Sequence, residues 1–187
     1  MHRRALLIDR DGTVCEDVGY LDSAARLRLL PGAAWALAEA ARAGFQTVLI
    51  TNQAGVGHGR FDELVLDEIH DRLRELLAAE GARLDGIYYC PHHPEAALPR
   101  YRLDCACRKP KPGMLREIGI RFGVDMSGVP CVGDGLRDLL AAEAVGGQPM
   151  LVLTGKGEKT LREGSMPKNT VIFPDLAFAA AAMLAND

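Results

Sequence analysis

The sequence predicts an α/β fold, a three-layer Rossmann-like arrangement around a mainly parallel central sheet. Three observations lead there. Short, continuous apolar runs with strand character recur along the chain. Helical patterns lie between most of them, and strands that alternate with helices and are apolar on both faces belong to a covered parallel sheet. The chain has 187 residues, 48% of them hydrophobic, which suits one domain over residues 1–187 with a proper core.

The elements follow in order. Strand character is read in Ala5–Asp9, Phe45–Thr51, Gly86–Cys90, Val129–Asp134, Met150–Thr154 and Thr170–Phe173. Gly32–Ala43 is Ala-rich and stops before Gly44. In Phe61–Glu80, residues Phe61, Leu64, Val65, Ile69, Leu73, Leu76 and Leu77 form one stripe, with Asp62 and Glu63 in the first turn and Gly81 after the last. Met114–Phe122, Arg137–Ala144 and Leu176–Leu184 also read as helices. Segment 155–170 reads as a mobile polar surface connection. His70 reads as a packing or surface histidine within the long helix, and His2, Arg3 and Arg4 as a solvated terminus.

Composition excludes several classes. Net charge is −3 and only 5% of residues are aromatic, so neither a basic field nor stacking platforms point to nucleic acid. No run approaches the roughly 18 apolar residues of a membrane helix, and Ala5–Ile8 is too short for a signal sequence. The expected location is the cytoplasm. No apolar stripe is left over, so a monomer is expected. Five cysteines in such a chain suggest metal or structural thiols rather than disulfides. Cys15 and Cys131 fall in or near strands as small core residues.

Function is legible where the strands end. The first leads into Asp9-Arg10-Asp11-Gly12-Thr13, the second into Thr51-Asn52-Gln53, the third into Cys90 and the fourth into Gly133-Asp134. Ligands of open α/β sheets bind at the carboxyl ends of strands, so these sets converge on one crevice. Three carboxylates there, Asp9, Asp11 and Asp134, repel one another unless a cation compensates, and Mg²⁺ is the hard, oxygen-liganded cation that accompanies phosphates. Thr51 offers a hydroxyl donor and Lys109 a balancing charge. Such a set suits phosphoryl transfer, with one Asp attacking phosphorus and the other, two residues on, shuttling a proton.

Cys90-Pro91-His92 and Cys105-Ala106-Cys107 supply three thiols and an imidazole, the donor set of a structural Cys₃His zinc site. The plain alternative is a set of reduced thiols in a loop. Four protein ligands would leave no open position, so the expected zinc is structural, ordering the polar loop 90–107 and aiming Arg108 and Lys109 at the crevice. His93 reads as an exposed or supporting neighbour. The basic run Arg100, Arg102, Arg108, Lys109 and Lys111 reads as an anion-attracting rim.

IDRDGT, LITNQAGVGHGRF, CRKPKPGM and VGDGLRD, in this order, resemble the four signatures of the haloacid dehalogenase (HAD) superfamily of phosphatases. CPHHP, CACRKPKPGM and the DVGY after DRDGT resemble, within it, the group comprising D-glycero-D-manno-heptose-1,7-bisphosphate 7-phosphatases and histidinol-phosphatases. The resemblance implies Asp9 as nucleophile, Asp11 as general acid/base, and Thr51 and Lys109 as phosphoryl stabilisers. It implies Mg²⁺ on Asp9, the Asp11 carbonyl and Asp134, and zinc on Cys90, His92, Cys105 and Cys107. Asp17, Val18, Gly19, Tyr20, Asn52, Gln53 and Arg108 would lie along the substrate, a small phosphorylated sugar of lipopolysaccharide precursor synthesis or, alternatively, histidinol phosphate. A zinc-stabilised binding module without activity is the non-enzyme alternative, and the presence of both Asp9 and Asp11 speaks against it. The connections leave little room for a cap domain. Gly135, His58 and Ala54 depart from the heptose-bisphosphate pattern, where Lys, Arg and Ser are common, and Arg137 could compensate for the charge missing at Gly135.

Overall fold

A computed structural model describes residues 4–185, so His2 and Arg3 lie outside the described residues. Six strands form one all-parallel sheet: β1 (Arg4–Ile8), β2 (Phe45–Asn52), β3 (Gly86–Cys90), β4 (Pro130–Gly133), β5 (Gln148–Val152) and β6 (Val171–Phe173), in the order β3-β2-β1-β4-β5-β6. The chain builds outward from β1 through β2 to β3, then returns to the other side of β1 to place β4. The β1/β4 junction is therefore the point where strand order reverses, and crevices open at such points.

The helices are α1 (Ala33–Arg42), α2 (Ala54–Gly57), α3 (Glu63–Ala79), α4 (Gly113–Phe122), α5 (Leu136–Glu143), α6 (Gly157–Glu163) and α7 (Leu176–Ala185). Alternation along β1 feeds both faces of the sheet. Leu6 and Ile8 pack with Leu37 of α1, Leu73 and Leu77 of α3 and Ala179 of α7. Ala5 and Leu7 pack with Met114 and Ile118 of α4 and Ala141 of α5. Each fully buried Leu or Ile in these layers contributes about 2 kcal/mol relative to exposure. Only a 3₁₀ turn and α1 stand between β1 and β2, in keeping with the expected lack of a large cap.

Two expectations need correction. Leu64 is 73% exposed, and Leu66 and His70 take places on the buried face of α3. The Asp62 side chain accepts from the Val65 N–H, and this cap sets the register of the helix. Residues 155–170 are not simply a surface connection. They contain α6, whose buried positions are Gly157 and Thr160, so the helix carries no apolar stripe that sequence could display.

Candidate active site

β1 hands the chain to Asp9, whose N–H donates to the Val132 carbonyl of β4 at 2.9 Å. This single bond places Asp9 on the seam with Asp134, which follows β4. Carboxylate oxygens of Asp9, Asp134 and Asp138 lie within 4.8 Å of one another, and all three residues are buried. Burial pushes the Asp9 carboxyl well above its ordinary value; Asp138, Asp134 and Asp11 push the same way and Lys109 opposes them. Burial likewise raises Asp134 to about 6, against a hydrogen bond from the Lys156 N–H. A dry, oxygen-rich set with too little positive charge fits a hard divalent cation such as Mg²⁺.

Lys109 is the buried cation of this set. Its Nζ donates to Asp9 Oδ1 at 2.8 Å and to the Ile50 carbonyl at 2.7 Å, and pairs with Asp138 Oδ1 at 2.5 Å. Although burial favours the neutral amine, Asp138 and Asp9 hold the ammonium above its ordinary range. The Lys109 backbone is pinned by Asn52, which donates to its carbonyl and accepts from its N–H at 2.9 and 3.1 Å.

Two glycines make room for Asp134. Gly12 has φ +86°, and a Cβ there would stand 2.1 Å from Asp134 Oδ2; Gly155 has φ +56°, and its Cβ would stand 2.2 Å from the same oxygen. Neither the conformation nor the space admits a side chain. The Thr154 hydroxyl donates to the Gly12 carbonyl at 2.6 Å, and the Lys156 N–H donates to Asp134 Oδ2 at 2.7 Å. The β5–α6 loop thus closes one wall of the site.

The Asp11 carboxylate lines the same crevice but stands outside this cluster. Arg10, 1% exposed, grips it with Nε on Oδ1 at 3.0 Å and NH2 on Oδ2 at 2.9 Å. Gln53 Nε2 donates to Asp11 Oδ2 at 3.0 Å and to Thr51 Oγ1 at 2.8 Å. Since Thr51 Oγ1 accepts there, its own O–H remains available to donate to a phosphoryl oxygen. The crevice, about 430 Å³, is lined by Asp9, Asp11, Asp17, Thr51, Lys109 and Asp134, among others. A hollow of about 510 Å³ at the opposite ends of the strands, lined by Phe45, Pro130, Met150 and Met183 among others, brings no comparable set of groups together.

On the far side, Cys90, His92, Cys105 and Cys107 converge. Their Sγ–Sγ separations are 3.0, 3.3 and 3.4 Å, and His92 Nδ1 lies 3.6 Å from Cys107 and 3.8 Å from Cys90. A tetrahedron of Zn–S bonds of about 2.3 Å has edges of about 3.8 Å. The thiols are a little closer than that but far beyond the roughly 2.05 Å of a disulfide, so this donor set fits a single tetrahedral ion. Arg108, next to Cys107, donates to the His92 carbonyl at 3.0 Å.

With this geometry in place, comparison with known proteins is decisive. The HAD-hydrolase-like family matches residues 106–179. The chain is 45% identical to D-glycero-beta-D-manno-heptose-1,7-bisphosphate 7-phosphatase of Pseudomonas aeruginosa, over 98% of this chain and 99% of that one. It is 40% identical to the Escherichia coli K12 enzyme of that name, over 81% and 80%. The crystal structure of D,D-heptose 1,7-bisphosphate phosphatase from Bordetella bronchiseptica, complexed with magnesium and phosphate, superposes with a TM-score of 0.92 at 43% identity, covering 98% of this chain and 99% of the other. The chain belongs to the HAD superfamily of phosphatases.

Within this HAD site, the residues expected along the substrate divide. Val18, Gly19 and Tyr20 are exposed on the loop after β1, and Asp17 is paired with Lys156. Asn52 lines the crevice but spends its amide on Lys109. Gln53 is 5% exposed and stands behind the wall, on Asp11 and Thr51, rather than along it. The expected anion rim is narrower than the basic run suggests. Arg102 donates to the Ala96 and Ala97 carbonyls, Arg100 lies over the Tyr101 ring and Lys111 pairs with Asp104. The His93 ring meets the His58 ring at a tilt of 49°, with centroids 5.0 Å apart. Cys15 and Cys131 are buried in the core.

Sequence reading missed Arg10, Asp138, Gly155, Lys156 and Thr160. Asp138 had a signal: four residues after Asp134, it falls in the first turn of α5 and accepts from the Gly135 N–H at 3.1 Å. Lys156 and Thr160 had none: Lys156 meets Asp134 through its backbone N–H and Asp17 through its ammonium, and Thr160 donates its hydroxyl to the Asp134 carbonyl at 2.8 Å.

Proposed function

We propose that this chain is a Mg²⁺-dependent phosphomonoesterase that removes the 7-phosphate of D-glycero-β-D-manno-heptose 1,7-bisphosphate. The observation that carries this reading is the meeting of Asp9, Asp134 and Lys109 at the β1/β4 seam. Near-full-length similarity to phosphatases named for that substrate supports the sugar and its anomer. Residues 1–187 act as one phosphatase domain and as a monomer. No helix among the described residues is long and apolar enough to cross a membrane, which is compatible with action in the cytoplasm.

In the first step an Asp9 carboxylate oxygen attacks the phosphorus, the bond to the sugar O7 breaks, and Asp11 gives its proton to that oxygen. In the second, water attacks the phosphorus of the aspartyl-phosphate, Asp11 takes the water's proton, and Asp9 is released with inorganic phosphate. Thr51 donates to a phosphoryl oxygen, and Lys109, held beside Asp9, balances the phosphoryl charge. Magnesium held by Asp9, the Asp11 carbonyl and Asp134 would supply charge neutralisation between two anions that otherwise repel. Zinc on Cys90, His92, Cys105 and Cys107 would fix the loop that delivers Arg108 and Lys109.

The test is phosphate release from a substrate panel with and without Mg²⁺. The heptose bisphosphate should show the highest kcat/KM, above histidinol phosphate and p-nitrophenyl phosphate. Preference for histidinol phosphate would move the assignment to histidine biosynthesis, and no release from any substrate would end the enzymatic reading.

A further inference from the structure

Arg10 and His70 are buried, polar and absent from the chemistry above, and they touch each other. Arg10 NH1 lies 3.3 Å from His70 Nε2. Arginine can only donate, so the imidazole accepts at Nε2 and carries its proton on Nδ1. His70 is 3% exposed, on the face of α3 otherwise made of Leu66, Ile69, Leu73 and Leu77. Its ring packs on Tyr89 of β3 with centroids 5.8 Å apart. A leucine there would continue the core, and a buried guanidinium is rarely the most stable filling for a site. What the pair does is mechanical: α3 holds His70, His70 holds one arm of Arg10, and the rest of the fork grips both oxygens of Asp11.

We infer that Arg10, braced by His70, is the positioning residue that aims Asp11 at the leaving oxygen. This rests on the role proposed for Asp11. A carboxylate offers about four acceptor positions. Arg10 and Gln53 occupy three of them and the Cys15 thiol makes a long 3.9 Å contact to Oδ1, so the part-exposed group is held in one orientation in the wall of the crevice it lines.

Leaving-group dependence separates this role from a merely structural one. p-Nitrophenolate departs without protonation, whereas an alkoxide needs the acid, and kcat/KM reports only the steps through leaving-group departure. His70→Leu should lower kcat/KM on the best alkyl phosphomonoester of the panel by at least about tenfold while changing it on p-nitrophenyl phosphate by less than about threefold. His70→Gln, which keeps an acceptor for Arg10, should recover most of the alkyl-phosphate rate. Arg10→Lys, which keeps the charge but not the fork, should behave like His70→Leu, and it carries the test should His70→Leu not fold. Equal losses on both substrates, or no recovery in His70→Gln, would overturn the inference. Failure of the phosphatase reading itself would appear separately, as an inactive parent enzyme.

Discussion

Lys109 places its ammonium nitrogen 2.8 Å from Oδ1 of Asp9, across 100 residues of sequence. Two further acceptors, Asp138 Oδ1 and the Ile50 carbonyl, use its remaining protons, so the side chain is fixed on three sides. The loop that carries it is set by Asn52 at the end of β2 and by the Cys/His cluster two residues earlier. The charge beside the Asp9 carboxylate is thus held by elements from three parts of the chain.

Removing that charge should cost both fold and function. Lys109→Met leaves Asp9 and Asp138 buried without their partner, and a broken buried pair costs about 3–5 kcal/mol. Urea denaturation should show a loss of this size, with kcat/KM reduced at least about a thousandfold. Adding Asp138→Asn should restore part of the stability and none of the activity. A stable and active Lys109→Met enzyme would contradict the role given to this lysine.

Gly155→Ala tests the cradle around Asp134. The new Cβ would stand 2.2 Å from Asp134 Oδ2 at a backbone φ of +56°, so the carboxylate or the loop must move. A loss of at least about 1 kcal/mol in stability and a raised Mg²⁺ requirement are expected. An alanine enzyme with unchanged Mg²⁺ dependence would show that this loop does not shape the cation site.

Proton and cation should compete at Asp134. Its folded-state carboxyl is raised to about 6 by burial, so without metal it is protonated below that pH and ionised above it. The Mg²⁺ concentration giving half-maximal activity should therefore rise as pH falls from 7.5 to 5.5. Asp134→Ala should raise the requirement at both pH values and flatten the difference. A parent requirement independent of pH would argue against Asp134 as a ligand.

The Cys₃His cluster should bind zinc at about one ion per chain by elemental analysis. Cys107→Ser should lose the ion and loosen the 90–107 loop, seen as faster amide exchange there, with smaller changes in the sheet. Parent protein purified without metal supplementation and free of zinc would refute the assignment.

The parallel sheet was legible because its strands are apolar on both faces, and the candidate carboxylates Asp9, Asp11 and Asp134 because they follow such runs closely. The Cys and His residues of the cluster announced themselves by residue type. What stayed hidden was hidden for physical reasons. Helix α6 buries Gly157 and Thr160, so no apolar period marks it. Arg10 sits between two conspicuous aspartates, and only the fold shows that its partner is His70, 60 residues away. Gln53 looked like a substrate contact because it follows Thr51 and Asn52, yet its buried amide faces inward to Asp11.

The central claim is that Asp9 carries the phosphoryl group, and chemical trapping tests it most directly. Enzyme quenched during turnover and treated with borohydride should contain homoserine at position 9, the reduction product of an aspartyl-phosphate, and Asp9→Asn should give none and show no turnover while retaining its fold. Unmodified Asp9 in an actively turning-over enzyme, or homoserine at another aspartate, would contradict the account.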